Sequence, residues 1–324
     1  MNYSIKPVLR VFWQHARKYK LALFFAMFFQ IGERVIDTIV PLYIKQLFDI
    51  IASTGLSSDI VMHKALLLLG TLAILFCVAW VSRRASQIAN IYLQPHVMTS
   101  LVHSAFVYLE GHSYKFFTNN FAGSLVRRIN RLARSFEIIA DQILFVYTPF
   151  FIRFPIIIFV LYRRHWFLGT VFIVWLFLFL VAQYVVTRWK QKYNIMLAAK
   201  DSETTGVLSD SISNITTVHS FAGEKKENAL VDAVIAGLQK LRLRTWYIDE
   251  VVGAVQGLLF IILEVGLLYI TIRLWKSGVA TVGDFALVQV YVIQSFESVW
   301  SLGQTMRKSY EAIADAQEMV DILN

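Results

Sequence analysis

The chain of 324 residues is 57% hydrophobic and only 16% charged, where a soluble domain carries about 25% charge. Apolar runs near 20 residues recur without alternating, which excludes a soluble globular protein and a transmembrane barrel and leaves an all-α bundle of membrane-crossing helices. The +9 net charge does not point to nucleic acid: 23 of the 31 Lys and Arg lie in four polar blocks, before residue 21, at 83–134, at 188–244, and at Arg307 and Lys308.

Residues 1–20 are basic and aromatic (Tyr3, Phe12, Trp13, Tyr19) and read as an amphipathic segment on the inner membrane surface. Arg17, Lys18 and Lys20 ahead of an apolar run mimic a signal peptide. No small-x-small cleavage site follows, and Glu33, Arg34 and Asp37 interrupt the run, so it is a retained span. Six spans are predicted, at 21–42, 65–81, 143–161, 167–186, 251–272 and 285–302. Pro41 lies near the outer end of the first, and the loop 53–59, with Gly55 and three serines, lies outside. Cys77, alone and inside the second span, excludes an intrachain disulfide and reads as a small apolar core residue. The positive-inside rule puts both termini and two long hairpins, about 83–140 and 188–250, in the cytoplasm; Arg163 and Arg164 in a short outer loop are the one local conflict.

Beyond residue 81 the apolar pattern continues with polar residues between (Ile88, Ile91, Tyr92, Leu101, Val102, Phe106, Leu109), as in a helix in water with one buried stripe, and Pro95 predicts a kink. Asn119, Asn120 and Gly123 break that helix, and an amphipathic helix returns towards the third span, which carries Pro149 and Pro155. No proline follows for 169 residues, as long unbroken helices require. The polar stretch 200–228 forms the bottom of the second hairpin, and Leu230, Val234, Leu238 and Leu241 mark one face of its return helix. A 50-residue helix is about 75 Å long, of which the membrane takes about 30 Å. Each hairpin therefore projects tens of ångströms into the cytoplasm while the outer connections stay short. Something cytoplasmic must push on the tips.

The tips carry a family resemblance. FFTNNFAGSLVRRIN (116–130) resembles the first intracellular loop of ATP-binding cassette (ABC) exporters, through Phe116, Phe117, Gly123, Leu125, Arg128 and Ile129; the tip itself is Thr118, Asn119 and Asn120. The family often has Asp where this chain has Thr118, which alters the local helix cap. DSISNITTVHSFAGEKKE (210–227) resembles the second loop, with Asn214, Ile215, Thr217, Val218, Phe221 and Glu224 in matching places; Thr216 belongs to the same tip. TVGDF (281–285) is similar to the start of the family's sixth span, and ADAQEMVDIL (314–323) to the segment before its ATPase domain. The resemblance implies an ABC exporter transmembrane-domain fold over 21–324, with six long helices extending into the cytoplasm and a homo- or heterodimeric assembly. Coupling helices at the two tips would dock on nucleotide-binding domains, and ATP and Mg2+ would be held there, with no cofactor on this chain. The substrate class implied is a small amphipathic molecule, lipid or peptide, and the expected location is the plasma (inner) membrane.

No Gly-x-x-x-x-Gly-Lys-Ser/Thr occurs, and residues 223–226 (GEKK) lack both the glycine spacing and the magnesium-binding hydroxyl. The seven histidines show no metal spacing, and no catalytic triad is supported. The expectation is that this chain alone does not hydrolyse ATP, its motor being a separate chain or the missing part of a truncated half-transporter.

Glu33, Arg34, Asp37, Arg153, Glu264 and Glu297 lie within spans, where each costs about 2.5–3.5 kcal/mol if left in lipid. One reading pairs them internally, Arg34 with Asp37 and Arg153 with Glu264 or Glu297. The other makes Glu33, Asp37, Arg153, Glu264 and Glu297 the lining of a cavity that favours cationic amphipathic substrates. Phe150, Phe151, Trp175, Phe260 and Trp300 read as packing or lipid-facing residues. An ion-coupled secondary transporter and a non-transporting regulatory subunit stand as alternatives, although inverted repeats and broken helices are not evident.

Overall fold

A computed structural model of the protein describes residues 5–53 and 57–323; Tyr3, the Gly55 turn and Asn324 lie outside the described residues. Every regular element among the described residues is helical. In chain order these are α1 (Ile5–Ala16), α2 (Lys20–Ile51), α3 (Ser58–Glu110), α4 (Tyr114–Asn119), α5 (Ala122–Gln142), α6 (Thr148–Arg164), α7 (Trp166–Ser213), α8 (Ile215–Ser220), α9 (Glu224–Lys276) and α10 (Val282–Leu323). Among the described residues, four rods are long and apolar enough to cross a membrane: α3, the stretch Ala122–Arg164, α7 and α9. The first and sixth predicted spans fall on α2 and α10, both long, but diluted by charged and amide side chains.

The prolines do not break helices. α2 and α3 run on through Pro41 and Pro95. Before Pro149, which has no N–H to donate and would crowd the carbonyl four residues back, the chain makes one π-helical turn, Ile143–Tyr147. The Thr148 hydroxyl donates to the Ile143 carbonyl at 2.7 Å across that turn, and α5 passes into α6 without a break.

Two compact units result, residues 1–171 with 266–324, and residues 172–265. In the first, α1, α3, α5 and α10 share one apolar cluster. α3 contributes Leu93, Val97, Leu101, Ala105 and Leu109, every fourth residue, and α5 contributes Leu125, Ile129, Leu132, Phe136 and Ile139. Burying a large aliphatic side chain stabilises by about 1.5–3 kcal/mol, so this water-side part of the bundle holds itself together. Of the residues expected on the α3 stripe, Leu101 and Leu109 are on it; Ile88, Ile91, Tyr92, Val102 and Phe106 are exposed. The N-terminal segment is an amphipathic helix, but Val8, Phe12 and Ala16 pack on protein, with Phe12 edge-on to Phe136 at 5.5 Å. Ile5, Leu9 and Trp13 form the exposed apolar side. Cys77, expected in the core, is exposed on α3.

In the second unit α7 and α9 run antiparallel. The less exposed positions fall at alternating spacings of three and four, Val186, Lys190, Tyr193, Leu197, Lys200 and Thr204 on α7 and Val231, Val234, Leu238, Leu241 and Thr245 on α9. Polar pairs cross the seam: Gln183 with Gln256, Lys190 with Asp249, Asp201 with Arg242 at 3.2 Å, and Ser211 with Glu227. Leu230 is exposed, contrary to expectation, because the seven-residue repeat puts Val231 on the seam. Trp175 is buried and donates its indole N–H to the Leu259 carbonyl at 2.9 Å.

α9 ends at Gly278, whose φ of +76° suits glycine, and α10 is capped by Thr281, whose N–H and hydroxyl both donate to Asp284. Here the ends of α2, α6 and α10 are tied by charge. Lys45, buried, meets Asp49 at 2.5 Å and Asp284 at 3.6 Å, and Arg164 meets Asp284 at 2.9 Å. Burial pushes the Asp49 carboxyl up, but hydrogen bonds from Lys45, Thr281 and the Gly283 N–H outweigh it and hold that carboxyl below the usual range. Its contribution is therefore complete at neutral pH and is lost only as pH falls through the depressed value. A Cβ on Gly283 would overlap the Lys45 carbonyl oxygen, which gives TVGDF its physical basis. Gly283→Ala is expected to cost about 1–3 kcal/mol through overpacking. A thermal unfolding midpoint unchanged from wild type in detergent would contradict this close approach.

Candidate functional site

The first tip is α4, six residues between α3 and α5. Its C-terminus is closed by Asn120, whose side-chain amide donates to the Phe116 carbonyl at 2.9 Å. The Thr118 hydroxyl donates to the Lys115 carbonyl at 2.9 Å, so it bonds within α4 and does not cap α5. The N-cap of α5 is Phe121, which supplies no side-chain bond. Phe116 turns inward onto the apolar cluster. Phe117 turns outward, 42% exposed, and Asn119 is exposed beside it. Gly123 lies under the Phe121 ring, where a Cβ would sit 2.9 Å from a ring carbon, and Leu125 and Ile129 anchor the ascent in the core.

The second tip is α8. The Asn214 carbonyl accepts from Thr217 and Val218 N–H at 2.9 and 3.1 Å, and the Asn214 amide donates to the Asp210 carbonyl and carboxylate at 3.0 Å each. Val218 is half-buried and its carbonyl accepts from Gly223 N–H at 2.8 Å. Ala222 closes the turn at a φ of +51°, a left-handed conformation that costs a non-glycine residue about 1–2 kcal/mol. His219 lies 3.1 Å from Glu224, whose carboxyl is held below the ordinary range by its own backbone N–H and then by His219. Ile215, Thr216 and Thr217 are exposed.

Both tips therefore present apolar side chains at the polar ends of long rods. Tyr114 and Phe121 at the first, and Ile212 and Phe221 at the second, are all at least 70% exposed. Sequence reasoning passed over Tyr114 and did not single out Phe121; the available signal was aromatic residues inside turns rich in Ser, Thr and Asn.

The intramembrane charges in the first unit form a connected cluster. Glu33 on α2 is 1% exposed. It accepts from Arg83 of α3 at 2.5 and 3.1 Å. Arg34 Nε lies 2.9 Å from the other Glu33 oxygen, a charge contact outside hydrogen-bond geometry. The expected Arg34–Asp37 pair is present but longer, at 3.8 Å. Arg153 of α6 is buried and meets Asp37 at 2.6 Å. It also donates to the Ser298 hydroxyl at 2.6 Å and the Gln294 carbonyl at 3.2 Å, both on α10. Tyr291 donates to the Thr38 carbonyl at 3.0 Å. Internal pairing thus describes Glu33 and Arg153, which are enclosed by protein. Asp37 is partly exposed, Glu297 is exposed on α10, and Glu264 is half-buried on α9 in the second unit. Arg83 opens a polar basic block in the sequence and gives no local sign of its partner; its long side chain turns back to Glu33. No group of three or more His, Cys, Asp or Glu able to hold a metal occurs among the described residues.

Among known proteins, the family model described as ABC transporter transmembrane region matches residues 23–299. ATP-binding cassette sub-family B member 6 of Xenopus tropicalis is 23% identical over 90% of this chain and 35% of that protein. Iron-sulfur clusters transporter ATM1, mitochondrial, of Candida albicans is 20% identical over 100% of this chain and 44% of that protein. The ATM1-type heavy metal exporter of Novosphingobium aromaticivorans is 23% identical over 69% and 37% respectively. The chain thus spans less than half the length of each of these relatives. A solved structure described as a bacterial Atm1-family ABC exporter with ATP bound matches with a TM-score of 0.72 at 19% identity, over 93% of this chain and 53% of that one. The fold is accordingly that of an ABC exporter transmembrane domain.

The charge cluster makes a direct prediction. Glu33→Ala leaves Arg83 and Arg34 without their shared partner and is expected to cost about 1–3 kcal/mol, whereas Glu33→Leu with Arg83→Leu recovers part of the loss. Thermal unfolding of the purified variants in detergent checks both, and a Glu33→Ala protein as stable as wild type would remove the cluster's structural role.

Proposed function

Since the chain belongs to the ABC transporter transmembrane-region family, we propose that it is the translocation domain of an ATP-driven exporter, working as a dimer. Nucleotide-binding domains, on a longer form of this chain or on a partner, hold ATP and Mg2+ and supply the motion. α4 and α8 receive it, and the rods behind them carry it into the bilayer.

The observation that carries this reading is the exposed apolar surface of both tips, Tyr114, Phe117 and Phe121 at one and Ile212, Ile215 and Phe221 at the other. Apolar area left in water costs about 25 cal/mol per Å2, a cost removed if a groove on an ATPase domain covers it. A proton-coupled carrier is less well supported, because the most buried carboxylate, Glu33, is held by two arginines.

Asp37, Glu264 and Glu297 are the remaining acidic candidates for a substrate cavity, which would favour cationic amphipathic molecules; lipids and peptides belong to the same proposed class. Both termini and both tips are assigned to the cytoplasm on the Lys and Arg distribution, with the plasma membrane as the site of residence.

Phe117→Asp and Ile215→Asp, placed in the protein together with its ATPase domain, are expected to lower substrate-stimulated ATP hydrolysis by about 30-fold or more, for about two to three kcal/mol of lost docking. Membrane insertion stays intact. Stimulated ATPase activity at the wild-type level in both variants would overturn the docking role. Cell fractionation tests the membrane assignment, and recovery with mitochondrial inner membrane would overturn that part.

A further inference from the structure

One basic and aromatic groove is used by nothing described above. On the second unit, Trp189 of α7 and Lys240, Leu243, Arg244, Tyr247 and Val251 of α9 line a groove of about 650 Å3, and no carboxylate is among its lining residues. Tyr193 stands beside it, its ring 5.5 Å from that of Trp189 and nearly perpendicular to it. The Arg244 guanidinium lies 5.3 Å from the centre of that ring and the Lys192 ammonium 5.0 Å. Two cations therefore stand against the Tyr193 ring, and Lys240 lines the groove beside them. The acids nearby are otherwise engaged or outside: Asp249 holds Lys190, Asp201 holds Arg242, and Glu250 is exposed and not part of the lining.

The groove also has a polarity along the rods. Val251 opens the fifth predicted span, and Tyr247 lies one turn before it. Arg244 and Lys240 precede the span by about 10 and 16 Å of helix. On α7, Trp189 and Lys192 follow the end of the fourth predicted span by about 5 and 9 Å. The headgroup layer occupies about 5–8 Å beyond the hydrocarbon core. The apolar, aromatic end thus meets the hydrocarbon edge, where Trp and Tyr favour the interface; Arg244 and Lys192 lie just beyond the headgroup layer, and Lys240 lies farther out. That order matches a phospholipid with a net negative headgroup.

We propose that this groove binds an anionic phospholipid, its phosphate held by Arg244 with Lys192 alongside and drawn in by the positive charge of Lys240 farther out, and its glycerol and upper acyl chain against Trp189, Tyr247 and Val251. Charged hydrogen bonds from ammonium and guanidinium groups to phosphate supply the affinity, and the uncompensated positive charge selects against zwitterionic lipid.

The test is native mass spectrometry of the full chain released from nanodiscs containing equal parts of phosphatidylglycerol and phosphatidylcholine. The wild type is expected to retain phosphatidylglycerol preferentially. Lys240→Gln with Arg244→Gln lowers that affinity about 25-fold, about fivefold for each cation removed. Lys225→Gln with Lys226→Gln, the same charge change at the second tip, leaves it unchanged. Tyr247→Ala keeps every charge, weakens retention of both lipids and preserves their ratio, which guards against a misfolded double variant. Equal retention of the two lipids by wild type, or undiminished phosphatidylglycerol in the double variant, overturns the proposal. Binding of inorganic phosphate that depends on Lys240 and Arg244 and is not displaced by phosphatidylglycerol assigns the groove to a soluble anion and overturns it too. Loss of the oligomer in the double variant with lipid retention unaltered assigns it to a contact between copies, with the same consequence.

Discussion

Glu33 is a carboxylate held almost wholly out of solvent in the middle of a predicted span, and the first unit is assembled around the need to neutralise it. An unpaired charge at that depth is costly, so Arg83 from α3 and Arg34 from α2 converge on it. Arg153 extends the cluster from α6 through Asp37 to α10. Each link specifies the rotation of one helix about its axis and its register against α2, because a guanidinium reaches its partner from only a few positions. Apolar contact alone would specify less, since lipid tails compete equally well for an apolar face.

The same unit changes its source of cohesion along its length. Near the junction of α2, α6 and α10 it relies on Lys45, Asp49, Arg164 and Asp284 and on the close approach at Gly283. In the water-side part, where the hydrophobic effect is available, α1, α3, α5 and α10 form an ordinary apolar cluster. The final turn of α10 and the inward-facing Phe116 pack on that one cluster, so the first tip and the last helix share a common support.

The second hairpin is built differently. Two helices meet along a seven-residue repeat in which Lys190, Lys200, Thr204 and Ser211 stand at positions an ordinary coiled coil gives to aliphatic residues. Paired amides and ion pairs replace much of the apolar packing. Such pairs are worth little individually when exposed, but they penalise slippage, because a shift of register separates every one of them. Resistance to slippage, more than a large core, is what these pairs contribute to the hairpin.

Hydrophobic periodicity and residue spacing by themselves determined the helical class, the long helices and the helix break at Asn119–Gly123, while the tip residues Phe116, Phe117, Ile215 and Thr217 came from the resemblance of two short motifs to a known family. These are local signals summed over many neighbouring residues, and one chain in one dimension carries them. Only the tertiary structure decided that Arg153 meets Asp37, that Arg83 turns back to Glu33, that Phe116 points in while Phe117 points out, that Val231 replaces Leu230 on the seam, and that Cys77 is exposed. Each of those outcomes depends on helix rotation and axial register, where a one-residue change turns a side chain by about 100°, and that information resides in contacts between residues distant along the chain.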